Sequence, residues 1–189
     1  MPTIMTHSVV AVCAGFTVGR TDIPKRFWVL GIIAAVLPDA DVIGYHYFYI
    51  PYGHILGHRG FFHSPCFAAL FSVITVSLFI RQERILSRRW WAYVLFIFAV
   101  GASHGLLDAM TDGGRGIALL APISNERYFL PWTPIEVSPL SVQAFISRRG
   151  LTVMKSEMLW VWLPSAALVV LCWMVRRIYL KLDKNDIKL

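Results

Sequence analysis

Three short polar clusters interrupt an otherwise apolar chain, and each is built from side chains that can do chemistry. They are Leu37-Pro38-Asp39-Ala40-Asp41, Gly57-His58-Arg59-Gly60-Phe61-Phe62-His63-Ser64, and Ser103-His104-Gly105-Leu106-Leu107-Asp108-Ala109-Met110-Thr111-Asp112. Imidazole suits Zn²⁺ and other borderline metals, and carboxylates add Mn²⁺, Mg²⁺ and iron to the range. His104 and Asp108 stand four apart, so a helix places both on one face, where they can share a cation. Asp112 continues that face if the helix survives to the Gly113-Gly114 pair. Asp39 and Asp41 are two apart and do not share a helix face, but a break at Pro38 lets both point into one cavity. Without a cation, two close carboxylates repel and one takes up a proton. At the end of a span such as Tyr93–Gly101 such groups are expensive, and a metal ion is the leading candidate to offset them.

The other polar residues of these clusters take supporting roles. Arg59 is a natural fork for a phosphate or carboxylate oxygen. Ser64 and Thr111 can touch a substrate, although a helix cap is the plainer role for Ser64. Asp112 is a ligand or a general base. His7, alone near the start of the chain, joins the set only through its expected side of the membrane. His46 and His54 fall in an aromatic loop and are weaker ligand candidates. Arg127, Tyr128 and Glu136 read as a solvated face or a lid. Cys13, Cys66 and Cys172 are odd in number and form no C-x-x-C, so the metal ligands must be nitrogen and oxygen.

The positioning elements are helical and membrane-bound. The chain has 189 residues, enough for a single domain, with 57% hydrophobic and 15% charged residues. Apolar runs at 4–19, 27–37, 65–80, 90–101 and 158–175 predict an all-α polytopic membrane protein of about five crossings or re-entrant helices. The first two runs are short for a full span. Gly44–Gly53 has the composition of an interfacial aromatic belt. Residues 111–157, with four prolines, read as a long outer loop with short helices, and Pro164 is placed to kink the last span. No charged leader with a small-residue cleavage site is present, so a cleaved signal peptide is not expected.

Charge then orients the chain. Arg20, Lys25 and Arg26, the arginines of 81–89, and the basic tail through Lys184 and Lys188 outnumber the basic residues of the remaining loops two to one. The positive-inside rule therefore puts them in the cytoplasm. The net charge of +7 reflects topology rather than nucleic-acid binding. With five crossings, His7, Asp39, Asp41, His58, His63, His104, Asp108 and Asp112 all fall on the opposite, outer side. Charge asymmetry and motif placement agree that the clusters form one site.

At these residues the sequence resembles the family of LexA-regulated, inner-membrane metal-dependent hydrolases. The resemblance lies in Thr6-His7, Leu37 to Asp41, Gly57-His58-Arg59-Gly60 with His63-Ser64, His104 through Asp108 to Thr111, Leu119 to Pro122, and Tyr128–Leu140. It covers roughly residues 4–140. One departure is Phe62, where the family usually has threonine. The resemblance implies a multi-pass inner-membrane protein with a divalent metal, zinc foremost. The expected chemistry is hydrolysis of a phosphoester on a lipid or lipid-linked substrate, since a soluble one gains nothing from a site at bilayer depth. Competing readings are a metal-ion or proton-coupled transporter, which needs polar residues at several depths, and a non-catalytic, metal-stabilised membrane scaffold.

Overall fold

The computed structural model describes residues 1–18, 23–139 and 141–186, with side chains through Lys181. Arg20, Leu140, Lys188 and the side chain of Lys184 lie outside the described residues. Eight helices appear in chain order: α1 (Ile4–Val18), α2 (Lys25–Val36), α3 (Asp41–Tyr47), α4 (Pro65–Phe79), α5 (Arg88–Ala109), α6 (Val142–Phe145), α7 (Arg148–Glu157) and α8 (Leu163–Asp186). The described residues contain no β-strand, only isolated bridges at Thr111–Ile135 and Ile117–Tyr128. The fold is all-helical.

Three stretches are long and apolar enough to cross a membrane: Lys25–Tyr47, Arg88–Ala109 and Arg148–Lys181. α1 and α4 are shorter apolar helices of 15 residues each. At 1.5 Å per residue each reaches about 22 Å, short of a hydrocarbon core of about 30 Å. These five elements match the five crossings expected from the sequence.

Two boundaries differ from that expectation. The second element does not stop at Pro38, because a 3₁₀ turn over Leu37–Ala40 joins α2 to α3. Proline is tolerated there because a helical first turn does not need its missing N–H. The last element begins at Arg148 rather than Met158, so the expected outer loop at 111–157 does contain short helices, and the second of them, Arg148–Glu157, runs on into the last span. A π turn at Met158–Trp162 links α7 to α8. It precedes Pro164, whose ring and missing N–H disfavour a regular bond four residues back.

The bundle is organised on α5. Leu30 of α2, Val76 of α4, and Trp90, Val94 and Ile97 of α5 form one buried cluster, and Ala11, Ala35 and Val100 form a second joining α1, α2 and α5. α4 approaches α5 closely at Gly101, where an added Cβ would lie 3.3 Å from that of Ala68. Serine caps start both helices, Ser64 accepting from Phe67 N–H and Ser87 from Trp90 N–H. α8 exposes Leu168, Leu171 and Trp173, the surface a lipid-facing helix presents. Packed this way, the first turns of α1, the α2–α3 junction, the start of α4 and the last turn of α5 meet at one end.

Candidate metal centre

α5 supplies His104 and Asp108 from the face their spacing predicts, both fully buried. His104 Nδ1 lies 2.7 Å from the Ala35 carbonyl. A carbonyl only accepts, so Nδ1 carries the proton and Nε2 presents its lone pair in the neutral ring. A metal-binding histidine is commonly held this way. His7 stacks on His104 with ring centroids 3.8 Å apart, and His63 meets it edge-on at 4.7 Å. His63 can come this close because Gly105 has no side chain: a Cβ there would stand 2.3 Å from the His63 carbonyl.

The α2–α3 junction adds Asp39. Its Oδ1 is 3.4 Å from His104 Nε2 and 3.6 Å from His63 Nε2. Asp108 Oδ2 is 3.4 Å from His63 Nε2, and Asp108 Oδ1 is 3.7 Å from His7 Nε2. These separations are long for hydrogen bonds. They suit donors on neighbouring corners of a coordination shell: ligands about 2.0–2.1 Å from Zn²⁺ stand roughly 3.4 Å apart in a tetrahedron.

The satisfaction of polar atoms points the same way. Among the described residues, eleven buried side-chain nitrogens and oxygens lack a hydrogen-bond partner, and nine of them belong to His7, Asp39, His63, His104 and Asp108. Each orphaned buried group costs about 1–3 kcal/mol and a charged one more. So dense a set is the pattern that a ligand-binding site leaves in the protein alone. The Asp39, His63, His104 and Asp108 group can hold a metal ion.

Asp41, His58 and His63 form a second group that can hold one. Here Asp41 and His58 Nδ1 have partners, whereas the His63 nitrogens do not. His58 Nδ1 lies 2.7 Å from Asp41 Oδ1, and the Arg59 backbone N–H donates to Asp41 Oδ2 at 3.0 Å. His63 joins the two groups, with Nε2 toward Asp39 and Asp108 and Nδ1 3.2 Å from Asp41 Oδ2. Burial pushes the His63 imidazole down, but Asp39 and Asp41 beside it, with the charge of Asp108, outweigh that and push it up to about 9.

The remaining sequence candidates separate. Arg59 is fully buried in the left-handed region, φ 62°, which non-glycine residues seldom occupy. Its Nε lies 3.2 Å from Asp108 Oδ2, Nη1 donates to the Gly113 carbonyl and Nη2 to Thr111 Oγ1. Gly114, at φ 95°, makes room for that guanidinium, since a Cβ there would sit 2.5 Å from Nη1. Thr111 is buried and also donates to the Asp108 carbonyl. Ser64 is the cap of α4. Asp112 is exposed and accepts from Val137 N–H at 2.7 Å, because α5 ends at Ala109 and does not carry its face that far. His54 is exposed, its Nδ1 accepting from Leu56 N–H.

Two further residues support the site, although Arg127 was expected only as part of a solvated face or a lid and Glu157 was not expected at all. Arg127 is half-buried, donating to the carbonyls of His58, Tyr52 and His54, and so clamps the turn that presents His58. Glu157 is fully buried and receives Thr3 N–H, Thr3 Oγ1 and Thr6 Oγ1 at 2.5–2.6 Å. It fixes the start of α1 one residue before His7. A lone acid ahead of an apolar run was its only mark in the sequence.

Fold and site together define a polytopic helical membrane protein with a buried imidazole–carboxylate group at one end of its bundle. The chain belongs to the YdjM inner membrane protein family, which it matches over residues 1–179. It is 42% identical over 177 residues to Inner membrane protein YbcI of Escherichia coli (strain K12), covering 94% of this chain and all of that protein. No solved structure matches it. The protein is thus an inner-membrane protein, while the matched names say nothing of LexA regulation or hydrolysis.

Proposed function

We propose that this protein is a membrane-embedded, metal-dependent hydrolase acting on a phosphoester of a lipid or lipid-linked substrate. The observation that carries the reading is the concentration of orphaned buried nitrogens and oxygens on His7, Asp39, His63, His104 and Asp108. We assign Asp39, His63, His104 and Asp108 to one divalent ion, with His7 stacked on His104 beside it. Two imidazoles with two carboxylates favour zinc, then iron or manganese; magnesium, which prefers oxygen ligands and retained waters, fits worst. An ion bound there supplies Lewis acidity, lowering the pKa of a water and polarising a phosphoryl oxygen.

The chain's own residues prepare that chemistry. Ala35 fixes the tautomer of His104. Asp41 lies beside Nδ1 of both His63 and His58, and would keep the proton of His63 on Nδ1 so that its Nε2 is left for the ion. Arg59, held by Thr111 and Gly113, positions Asp108 and balances the local negative charge. Asp112 and Ser64, engaged by backbone N–H groups, are left outside this reaction. The site is assigned to the periplasmic side by the distribution of basic residues.

Transport gains less support. The buried hydroxyls of α4 bond within their own helix, Ser72 to Ala69 and Thr75 to Phe71, so they line no polar path. The test is metal analysis and phosphoester hydrolysis by detergent-purified protein and its His63→Ala and Asp39→Ala variants. Metal and hydrolysis lost together from folded variants would support the enzyme. Metal-dependent folding with no hydrolysis of any lipid phosphoester would make it a scaffold instead.

A further inference from the structure

An apolar cavity of about 520 Å³ lies against the centre, walled by the α2–α3 junction, the 48–62 loop and α4. Leu37, Ile43, Phe48, Phe62, Phe67 and Phe71 line it, and Asp41 is the single ionisable residue in its wall. The cavity therefore ends one side chain from His63. Its mouth is formed by Ile43, Phe48 and Leu56, all exposed. Ile43 lies in the last turns of the Lys25–Tyr47 stretch, which is long and apolar enough to cross a membrane, so the mouth opens at the end of that stretch. Tyr45, Tyr47 and Tyr49 are exposed alongside, the disposition of side chains at a bilayer interface.

The same loop carries a cationic edge. The guanidinium carbons of Arg115 and Arg127 lie 5.2 and 5.1 Å from the centroid of Tyr52, whose ring meets that of His58 at 5.4 Å. Arg127 is engaged by backbone carbonyls, whereas Arg115 is exposed and has no acidic partner among the described residues. A hydrocarbon-lined recess and an exposed cation stacked on Tyr52 thus flank the Asp41–His58 edge of the centre.

We propose that this cavity takes one hydrocarbon chain of an anionic membrane lipid, entered sideways from the bilayer, with the anionic end beside Arg115 and His58. This deepens the hydrolase reading, on which the placement of the scissile group rests; binding of the chain does not depend on it. Apolar lining with a few convergent polar groups is the ordinary character of a ligand site. Facing apolar walls of this kind gain dispersion contacts from a hydrocarbon chain seated between them.

The test uses full-length protein in vesicles of phosphatidylethanolamine and phosphatidylglycerol, with phosphatidylglycerol carrying a photoreactive diazirine on one acyl chain. Labelling should concentrate on the 48–71 segment over the lipid-facing α8. It should fall several-fold in Ile43→Trp and in Leu56→Trp, two mouth positions where added bulk is tolerated, with metal content unchanged. Arg115→Ala should weaken labelling by phosphatidylglycerol but not by diazirine-bearing phosphatidylethanolamine. Labelling spread evenly over lipid-facing helices and indifferent to both tryptophans would overturn the proposal, as would cross-links showing a second copy of the chain seated over the mouth. Equal response of the two lipids to Arg115→Ala would overturn its anionic part. The outcomes also separate the two readings. Localised labelling of a protein that hydrolyses nothing sinks the enzyme and keeps the cavity. Diffuse labelling of a protein that still hydrolyses a water-soluble phosphoester does the reverse.

Discussion

Thr6 and His7 are consecutive residues of α1, both buried, and they belong to opposite kinds of polar region. Thr6 sits in a closed network: its hydroxyl donates to Glu157 and receives the Trp162 indole N–H at 2.7 Å, while Glu157 also takes both donors of Thr3. His7 has no hydrogen-bond partner at either ring nitrogen, and its neighbours Asp39, His63, His104 and Asp108 also hold orphaned atoms. Both regions place polar groups where water cannot reach them. The first satisfies them internally and is complete as protein, so its work is to hold α1 against the last long helix. The second leaves them without hydrogen-bond partners, as a group that could hold a metal ion would. The difference distinguishes a structural polar cluster from a site, and neither burial nor residue type alone would have done so.

Breaking the open region should have the largest effect. Asp108→Ala is expected to lower metal affinity by more than about a hundredfold, beyond the 10–100-fold typical of losing an outer-shell partner. Equilibrium dialysis on folded protein measures it, and unaltered affinity would remove Asp108 from the ligand set. Asp41→Ala removes the group beside His63 Nδ1 and should cost about 10–100-fold in the same measurement. A loss as complete as that of Asp108→Ala would instead make Asp41 a ligand.

The closed region should respond in the other currency, stability. Glu157→Ala leaves the Thr3 and Thr6 donors unpaired and should destabilise the fold by about 3 kcal/mol, with affinity per folded molecule nearly unchanged. Thermal unfolding with and without chelator checks this, and a chelator effect that vanishes in the variant would merge the two regions. The smallest change is Ser64→Ala. Loss of this cap should cost about 1 kcal/mol and leave metal binding intact; loss of metal would return Ser64 to the site.

The contrast also explains what was legible in the sequence. His104 and Asp108 could be paired because helical spacing is a local rule, and the clusters around residues 39, 63 and 104 do meet, although the charge bias that suggested it also drew in Asp112. Asp112 misled because the same spacing continues past the point where Met110 and Thr111 turn the chain, and nothing in the residue types marks that end. The α2–α3 element looked broken at Pro38, although a 3₁₀ turn carries it through. α7 was hidden by Arg148, Arg149 and Lys155, polar residues that suggest loop when read without the apolar helix they extend. Glu157 was least visible: its partners lie over 150 residues away, and only the packing of α1 on the last helix brings them together.

One metal ion is expected to complete the Asp39, His63, His104 and Asp108 group. Elemental analysis of detergent-purified protein, run beside folded Asp108→Ala and Glu157→Gln, measures this. About one equivalent of a divalent transition metal, zinc foremost, is expected in the wild type and in Glu157→Gln, and none in Asp108→Ala. Wild-type protein that is folded, free of metal and indifferent to added zinc, iron or manganese would contradict it.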